Sequence, residues 1–195
     1  MIHNSIRTVL ITGASSRIGE EFCKRLAKPG INLIMVARRD EKLLELKRWF
    51  DSNGTSIHSV IADLSTTHGI AHVQDVIRQE SPVDLLINNA GSSAYGRFSD
   101  SSLATQISIT RVQIEATLSL TRAVLPFMRE QNFGRIINVS SIGAFISLKK
   151  TAVYGASKAF LGSFSRSLVP SNNCKKGRIA TIPKLSNNAA SMKRA

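Results

Sequence analysis

Short apolar, β-branched runs recur along the chain and alternate with longer stretches whose apolar positions fall three and four apart. The runs are TVLIT (8 to 12), NLIMVA (32 to 37), SIHSVIA (56 to 62), VDLLIN (83 to 88) and RIINVS (135 to 140). Segments this apolar on both faces suit strands buried inside a parallel sheet. The stretches between them predict helices at about 17 to 28, 40 to 52, 67 to 80, 102 to 131 and 152 to 168. Strand and helix in alternation imply right-handed crossovers, and hence an α/β fold with a doubly wound parallel sheet between two helical layers.

After Leu168 the pattern stops. The remainder, VPSNNCKKGRIATIPKLSNNAASMKRA, begins with a helix-ending Pro170 and holds one strand-like run, Arg178 to Ile182. The expected organisation is one domain over residues 1–168 and a basic, polar tail over 169–195, with at most one edge strand and otherwise poor order. A chain of 195 residues suits a single substantial core.

Composition narrows the function classes. The hydrophobic content of 43% is that of a globular protein, and no apolar run reaches the ~18 residues of a membrane span. The N-terminal MIHNSIRTVLITGAS resembles a buried first strand more than a signal peptide, so a cytoplasmic protein without a membrane partner is expected. The formal charge of +13 is uneven: residues 1–130 carry 15 Lys/Arg against 13 Asp/Glu, and residues 131–195 carry 11 against none. No basic strand rich in aromatics and no reading helix accompanies that excess, so nucleic acid is not the expected partner. Cys23 and Cys174 are far apart and form no framework. His68 and His72 stand four apart with Asp75 nearby, but a polar helix face explains the same letters, so no metal is expected there. Met35 and Met128 read as core filler, and Trp49 as cover for the core edge.

Candidate chemistry begins at the end of the first strand. Thr12-Gly13 leads through Ser15 and Arg17 to Ile18-Gly19 in TGASSRIG. A glycine turn before a helix can be only a turn; it can also present helix N–H groups and a positive dipole end to a pyrophosphate. The second strand ends in Ala37-Arg38-Arg39, where a free ribose hydroxyl would call for an acid and a 2′-phosphate for a cation. Arg38 and Arg39 favour the phosphate, unless they form only a solvated turn; Asp40 reads as the opening of the next helix.

Taken together, TGASSRIG (12 to 19), ADL (62 to 64), NNAG (88 to 91), INVSS (137 to 141) and YGASK (154 to 158) resemble the short-chain dehydrogenase/reductase family, over about residues 7–168. The resemblance implies a Rossmann-type fold, NADP(H) as cofactor, and hydride transfer to or from the carbonyl or hydroxyl carbon of a small molecule. It assigns Gly13, Ser15, Arg17, Ile18, Gly19, Arg38, Asp63, Leu64, Asn89, Ala90 and Gly91 to the cofactor, together with Tyr154 and Lys158. It assigns catalysis to Ser141, Tyr154 and Lys158, with Gln113 at the position of a helix asparagine that orders a water next to the lysine. Tyr154 and Lys158 are four apart, which on a helix places them on one face; an ammonium fixed beside a phenol favours the phenolate. Asn88 and Asn89 could equally stabilise the end of the sheet. Relatives commonly pair through the helices corresponding to 102–131 and 152–168, so a homo-oligomer is a further implication.

Three departures from the family pattern bear on activity. Arg17 stands where the family has a glycine, and its side chain either approaches a phosphate or takes up cofactor space. Gln113 carries one more methylene than asparagine. The tail echoes the next family strand in GRIATIP but has no glycine after Pro183, so the fold is expected to be incomplete at its C-terminal end and the tail to be truncated, out of frame from about Val169. The alternative function is a weakly active or non-catalytic remnant that at most binds dinucleotide.

Overall fold

The computed structural model describes residues 5–50, 54–80, 82–168 and 178–184, with the last segment and Asp40 described by their backbone alone. Pro170, Cys174, His3 and the remaining tail positions lie outside the described residues. Six strands form one sheet: β1 (Thr8–Thr12), β2 (Asn32–Ala37), β3 (Ser56–Ile61), β4 (Leu85–Asn88), β5 (Arg135–Ser141) and β6 (Arg178–Lys184). Their order is β3-β2-β1-β4-β5-β6 and every pair is parallel. The chain winds outward from β1 through β2 to β3, then crosses to the other side of β1 for β4. At that reversal the connections after β1 and β4 diverge and open a crevice at the carboxyl ends of the strands.

The helices are α1 (Arg17–Leu26), α2 (Asp40–Phe50), α3 (Thr67–Gln79), α4 (Leu103–Thr110), α5 (Ala116–Glu130) and α6 (Ala152–Leu168). Because side chains alternate along a strand, β1 feeds two cores. Val9 and Ile11 pack with Cys23 of α1 and with Leu43, Leu46 and Phe50 of α2. Leu10 packs on the opposite face with Val73 and Ile77 of α3 and Leu120 and Val124 of α5. Met35 and Met128 are buried in these cores, whereas Trp49 is half exposed, edge-on to Phe50 with the Lys24 ammonium over its ring. Burial pushes the Cys23 thiol up to about 12, which leaves it a small apolar residue at neutral pH.

One expected helix is interrupted. Between α4 and α5 the segment Arg111–Glu115 forms a π-helical turn, so the continuous helix read over 102 to 131 carries a bulge at Gln113. Such a turn inserts a residue into the ladder and rotates the helical turns beyond it, and amphipathic spacing does not reveal it.

A ladder of buried amides joins the sheet to α5 and α6. Asn88 Nδ2 donates to Asn138 Oδ1 at 2.9 Å and to Thr121 Oγ1 at 3.3 Å, and Asn138 Nδ2 donates to Ser165 Oγ at 2.8 Å. Each group is satisfied, so the ladder fixes where α6 lies along β5. At the opposite end of the sheet, buried Asp84 Oδ2 accepts from the Arg7 and Thr8 amides at 2.9 Å each, and Oδ1 accepts from Gln131 Nε2 at 3.1 Å. Asp84→Ala should therefore cost about 2 kcal/mol in denaturant unfolding, the penalty for stranding such donors. A loss within ~0.5 kcal/mol would mean that solvent replaces the carboxylate there.

Candidate active site

The crevice at the sheet reversal starts from Gly13, whose φ of 66° lies in the left-handed region. A Cβ at that position would come within 2.9 Å of Ala90 Cα, so the turn after β1 lies directly against the segment after β4. Asn89 holds the two together: its Nδ2 donates to Thr12 O at 2.9 Å, Gly13 O at 3.0 Å and Ser16 Oγ at 3.1 Å. Thr12 Oγ1 completes the staple by accepting from the Asn89 and Ala90 amides at 3.1 and 3.0 Å. Ser16 then caps α1, its Oγ accepting from Gly19 N at 3.1 Å. A Cβ at Gly19 would run into the Gly13 carbonyl and approach Asn89 Nδ2 at 2.8 Å, so only glycine brings the helix this close.

These elements floor a cleft of about 440 Å³, within the range of cavities that hold small molecules. Gly13, Ser15 and Ser16 line it at the start of α1. Arg38 and Arg39 border it after β2, and Asp63 and Leu64 after β3. Asn89, Ala90 and Gly91 pass across it, with Tyr154 and Lys158 on the α6 side. Burial works against ionisation of Asp63, but the Ser65 amide, the Ser65 hydroxyl and the charge of Arg38 outweigh it and hold the carboxyl below its ordinary range. Ser65 N donates to Asp63 Oδ1 at 2.9 Å. Asp63 is thus a carboxylate at neutral pH, with Arg38 close enough to influence its charge.

Of the assigned residues, Arg17, Ile18, Gly19, Ser141 and Gln113 do not line this cleft. Arg17 is exposed at the first position of α1. Its side chain therefore occupies none of the space enclosed by the glycine turn. Ser141 is buried, with its Oγ accepting from Gly143 N at 3.2 Å; a Cβ at Gly143 would lie 3.7 Å from both Ser141 Oγ and Tyr154 Cε1. Serine and tyrosine thus flank one glycine. Lys158 is buried, its Nζ donates to Val139 O at 2.8 Å, and the same atom lies 5.8 Å from the Tyr154 ring centroid.

Gln113, fully buried in the π turn, donates through Nε2 to Ser92 O at 2.7 Å, while its Oε1 has no hydrogen-bond partner among the described residues. A Cβ at Gly91 would sit 3.4 Å from Lys158 Nζ and 3.9 Å from Gln113 Cδ, so lysine and glutamine meet across this glycine. The extra methylene of Gln113 spans the distance to the Ser92 carbonyl.

Sequence reasoning missed Thr12 and Ser16, whose signal is a hydroxyl beside each end of the glycine turn. It also missed Gly69. A Cβ there would strike the Asp63 carbonyl, so Gly69 lets the start of α3 close onto the loop that carries Asp63. His68 and His72 are exposed on α3, and no cluster of three potential metal ligands occurs among the described residues. No helix among them is long and apolar enough to cross a membrane.

Known proteins resemble this chain in sequence and in fold. The sequence profile of a family described as short chain dehydrogenase matches residues 7–182. An uncharacterized oxidoreductase of Staphylococcus epidermidis is 32% identical over 163 residues, covering 83% of this chain and 70% of its own. A fatty acyl-CoA reductase of Acinetobacter baylyi is 35% identical over 170 residues, covering 83% of this chain and 56% of its own. Among solved structures, a short-chain dehydrogenase from Sphingobium yanoikuyae in complex with NADPH superimposes with a TM-score of 0.88 at 30% identity, covering 93% of this chain and 71% of that one.

Proposed function

Because the chain belongs to the short-chain dehydrogenase family, we propose that it is an oxidoreductase that uses NADP(H) to interconvert a carbonyl and an alcohol on a small molecule. The observation that carries this reading is a convergence. The glycine turn, the Arg38-Arg39 pair and the Tyr154-Lys158 pair, which come from three separate parts of the chain, line one cleft. The cleft fits the group: Gly13 and Gly91 line it without side chains, α1 directs its N-terminus at the floor, and two cations border the wall. The Sphingobium relative with NADPH adds to the case for the phosphorylated cofactor.

Gly13, Ser15, Ile18 and Gly19 would hold the pyrophosphate at the helix start, directly or through the shape of the turn. Arg38 would pair with the 2′-phosphate, Asp63 and Leu64 would border the adenine, and Asn89, Ala90 and Gly91 would run beneath the ribose. When bound, the nicotinamide supplies or accepts the hydride. Tyr154 Oη gives a proton to the carbonyl oxygen in reduction and takes it from the hydroxyl in oxidation. Ser141 Oγ holds that oxygen by hydrogen bonding. Lys158, with Gln113 across Gly91, would restore the proton. The outward position of Arg17 leaves it able to approach a phosphate from the solvent side. Exposed Leu103, Ile107 and Leu118 on α4 and α5 would suit pairing of two copies.

Arg38→Ala tests the cofactor assignment. It should weaken NADPH binding about tenfold and leave NADH binding nearly unchanged, as expected for losing one charge-assisted phosphate contact. Equal losses for both cofactors, measured by fluorescence titration, would assign Arg38 to the turn alone. A second reading, a dinucleotide-binding protein without turnover, is favoured by one observation: the unpartnered, buried Oε1 of Gln113 beside Lys158.

A further inference from the structure

The residues above Tyr154 form a rim of uneven chemistry. One side is the segment from Ser92 to Gly96, which leaves the cleft at Ser92 and Ser93. The other runs from Gly143, where a Cβ would lie 3.7 Å from Tyr154 Cε1, to Thr151 just before α6. They are tied together where Gly96 N donates to Lys150 O at 3.0 Å.

Three large side chains stand exposed on this rim, Tyr95 at 67%, Phe145 at 69% and Ile146 at 55%. Beside them are two exposed lysines, Lys149 and Lys150. The Lys150 backbone is held at a φ of 65°, a conformation that lysine adopts at a cost, and its ammonium lies 5.4 Å from the Tyr95 ring centroid. Thr151 Oγ1 donates to Leu148 O at 2.9 Å and closes the turn. The charge is therefore fixed beside the aromatic ring.

No acid answers these cations within either segment. The sequence has no Asp or Glu after Glu130, and Asp100 is the single acid between Asn88 and Glu115. Asp100 lies beyond Arg97 and accepts from Ser99 Oγ at 2.8 Å. A rim that joins exposed apolar surface to unopposed positive charge complements a molecule with the converse pattern.

Resting on the proposed use of the cleft, we propose that the substrate is an amphipathic carbonyl or alcohol. An apolar chain or ring packs on Phe145, Ile146 and Tyr95, and a carboxylate or phosphate at its far end meets Lys149 and Lys150. A neutral polyol or short polar ketone would gain from neither feature.

Calorimetric titration of the NADPH-saturated protein with octanoate, octyl phosphate and octanol tests this without requiring turnover. One or both anions should bind about tenfold more tightly than octanol, the sum of two modest ion pairs, and the tighter of the two identifies the head group. Lys149→Ala combined with Lys150→Ala should erase that difference and preserve octanol binding. Phe145→Ser with Ile146→Ser should weaken all three, with circular dichroism confirming that both variants fold. Octanol binding as tightly as both anions, or no binding of any of them to a chain that binds NADPH, would overturn the proposal. The same titrations without cofactor read the rim alone. A chain that fails to bind NADPH but keeps the preference for anions would refute the cofactor assignment and leave the amphipathic specificity standing.

Discussion

Replacing Tyr154 by phenylalanine is expected to lower turnover about 10³-fold, the scale of a lost general acid, and to leave NADPH affinity within about twofold. The ring of Tyr154 is half-buried on the cleft wall and contributes to the shape of the site, whereas its hydroxyl is the only part that the substitution removes. Lys158 stays where it is, because its Nζ is anchored to the Val139 carbonyl and the phenylalanine keeps the ring beside it. A tyrosine whose role is packing would lose little turnover as phenylalanine. Steady-state rates together with a cofactor titration separate the two cases: unchanged turnover assigns the proton step to another group, and a large loss of NADPH affinity assigns the hydroxyl to binding.

Gly19→Ala is expected to act on the other half of the site. Its Cβ would meet the Gly13 carbonyl, a backbone atom that cannot rotate aside, and would crowd Asn89 Nδ2. Either α1 moves off the sheet or the glycine turn opens, and both disrupt the hydrogen bonds from Asn89 to Thr12 and Gly13. The expected cost is about 3 kcal/mol in unfolding, at the upper end for a single overpacked methyl group. NADPH binding should fall about 100-fold, about 2.7 kcal/mol, because the turn that receives the pyrophosphate is displaced. Denaturant titration and fluorescence binding check both numbers. Full stability with intact binding would mean that the approach of α1 to β1 is not what positions the floor of the cleft.

The layout of the fold was legible wherever a segment was apolar on both faces. NLIMVA and TVLIT could be nothing but central strands, and they pair in the middle of the sheet. Helix ends were less legible: α1 stops at Leu26, ahead of the expected position 28, because the chain turns extended at Ala27 before Pro29. The π turn at Gln113 was invisible, since what it does is bring one buried amide to the Ser92 carbonyl, a tertiary contact that amphipathic spacing does not encode. Among the site residues, those at strand ends were the easiest to place. Arg38, Asp63 and Gly91 are carried to the crevice by the topology itself.

Roles carried by contact were harder to read. Asn89 was equally compatible with sheet stabilisation and with a place beside the cofactor, and it has the geometry of both: it staples the glycine turn and lines the cleft. Gly69 gave no signal, because its place against the Asp63 carbonyl exists only once α3 folds back onto the end of β3. Arg17 drew attention as a replaced glycine, but it is exposed at the start of α1 and does not line the cleft.

The most direct test of the proposed oxidoreductase is hydride transfer itself. Purified chain, NADPH and a panel of apolar and polar carbonyl compounds are mixed, and the near-ultraviolet absorbance of the reduced nicotinamide is monitored. Saturable NADPH binding is expected, with loss of that absorbance for at least one carbonyl compound and no loss in Tyr154→Phe. Saturable binding with no oxidation by any member of the panel would contradict the proposed function and leave a protein that holds the dinucleotide without using it.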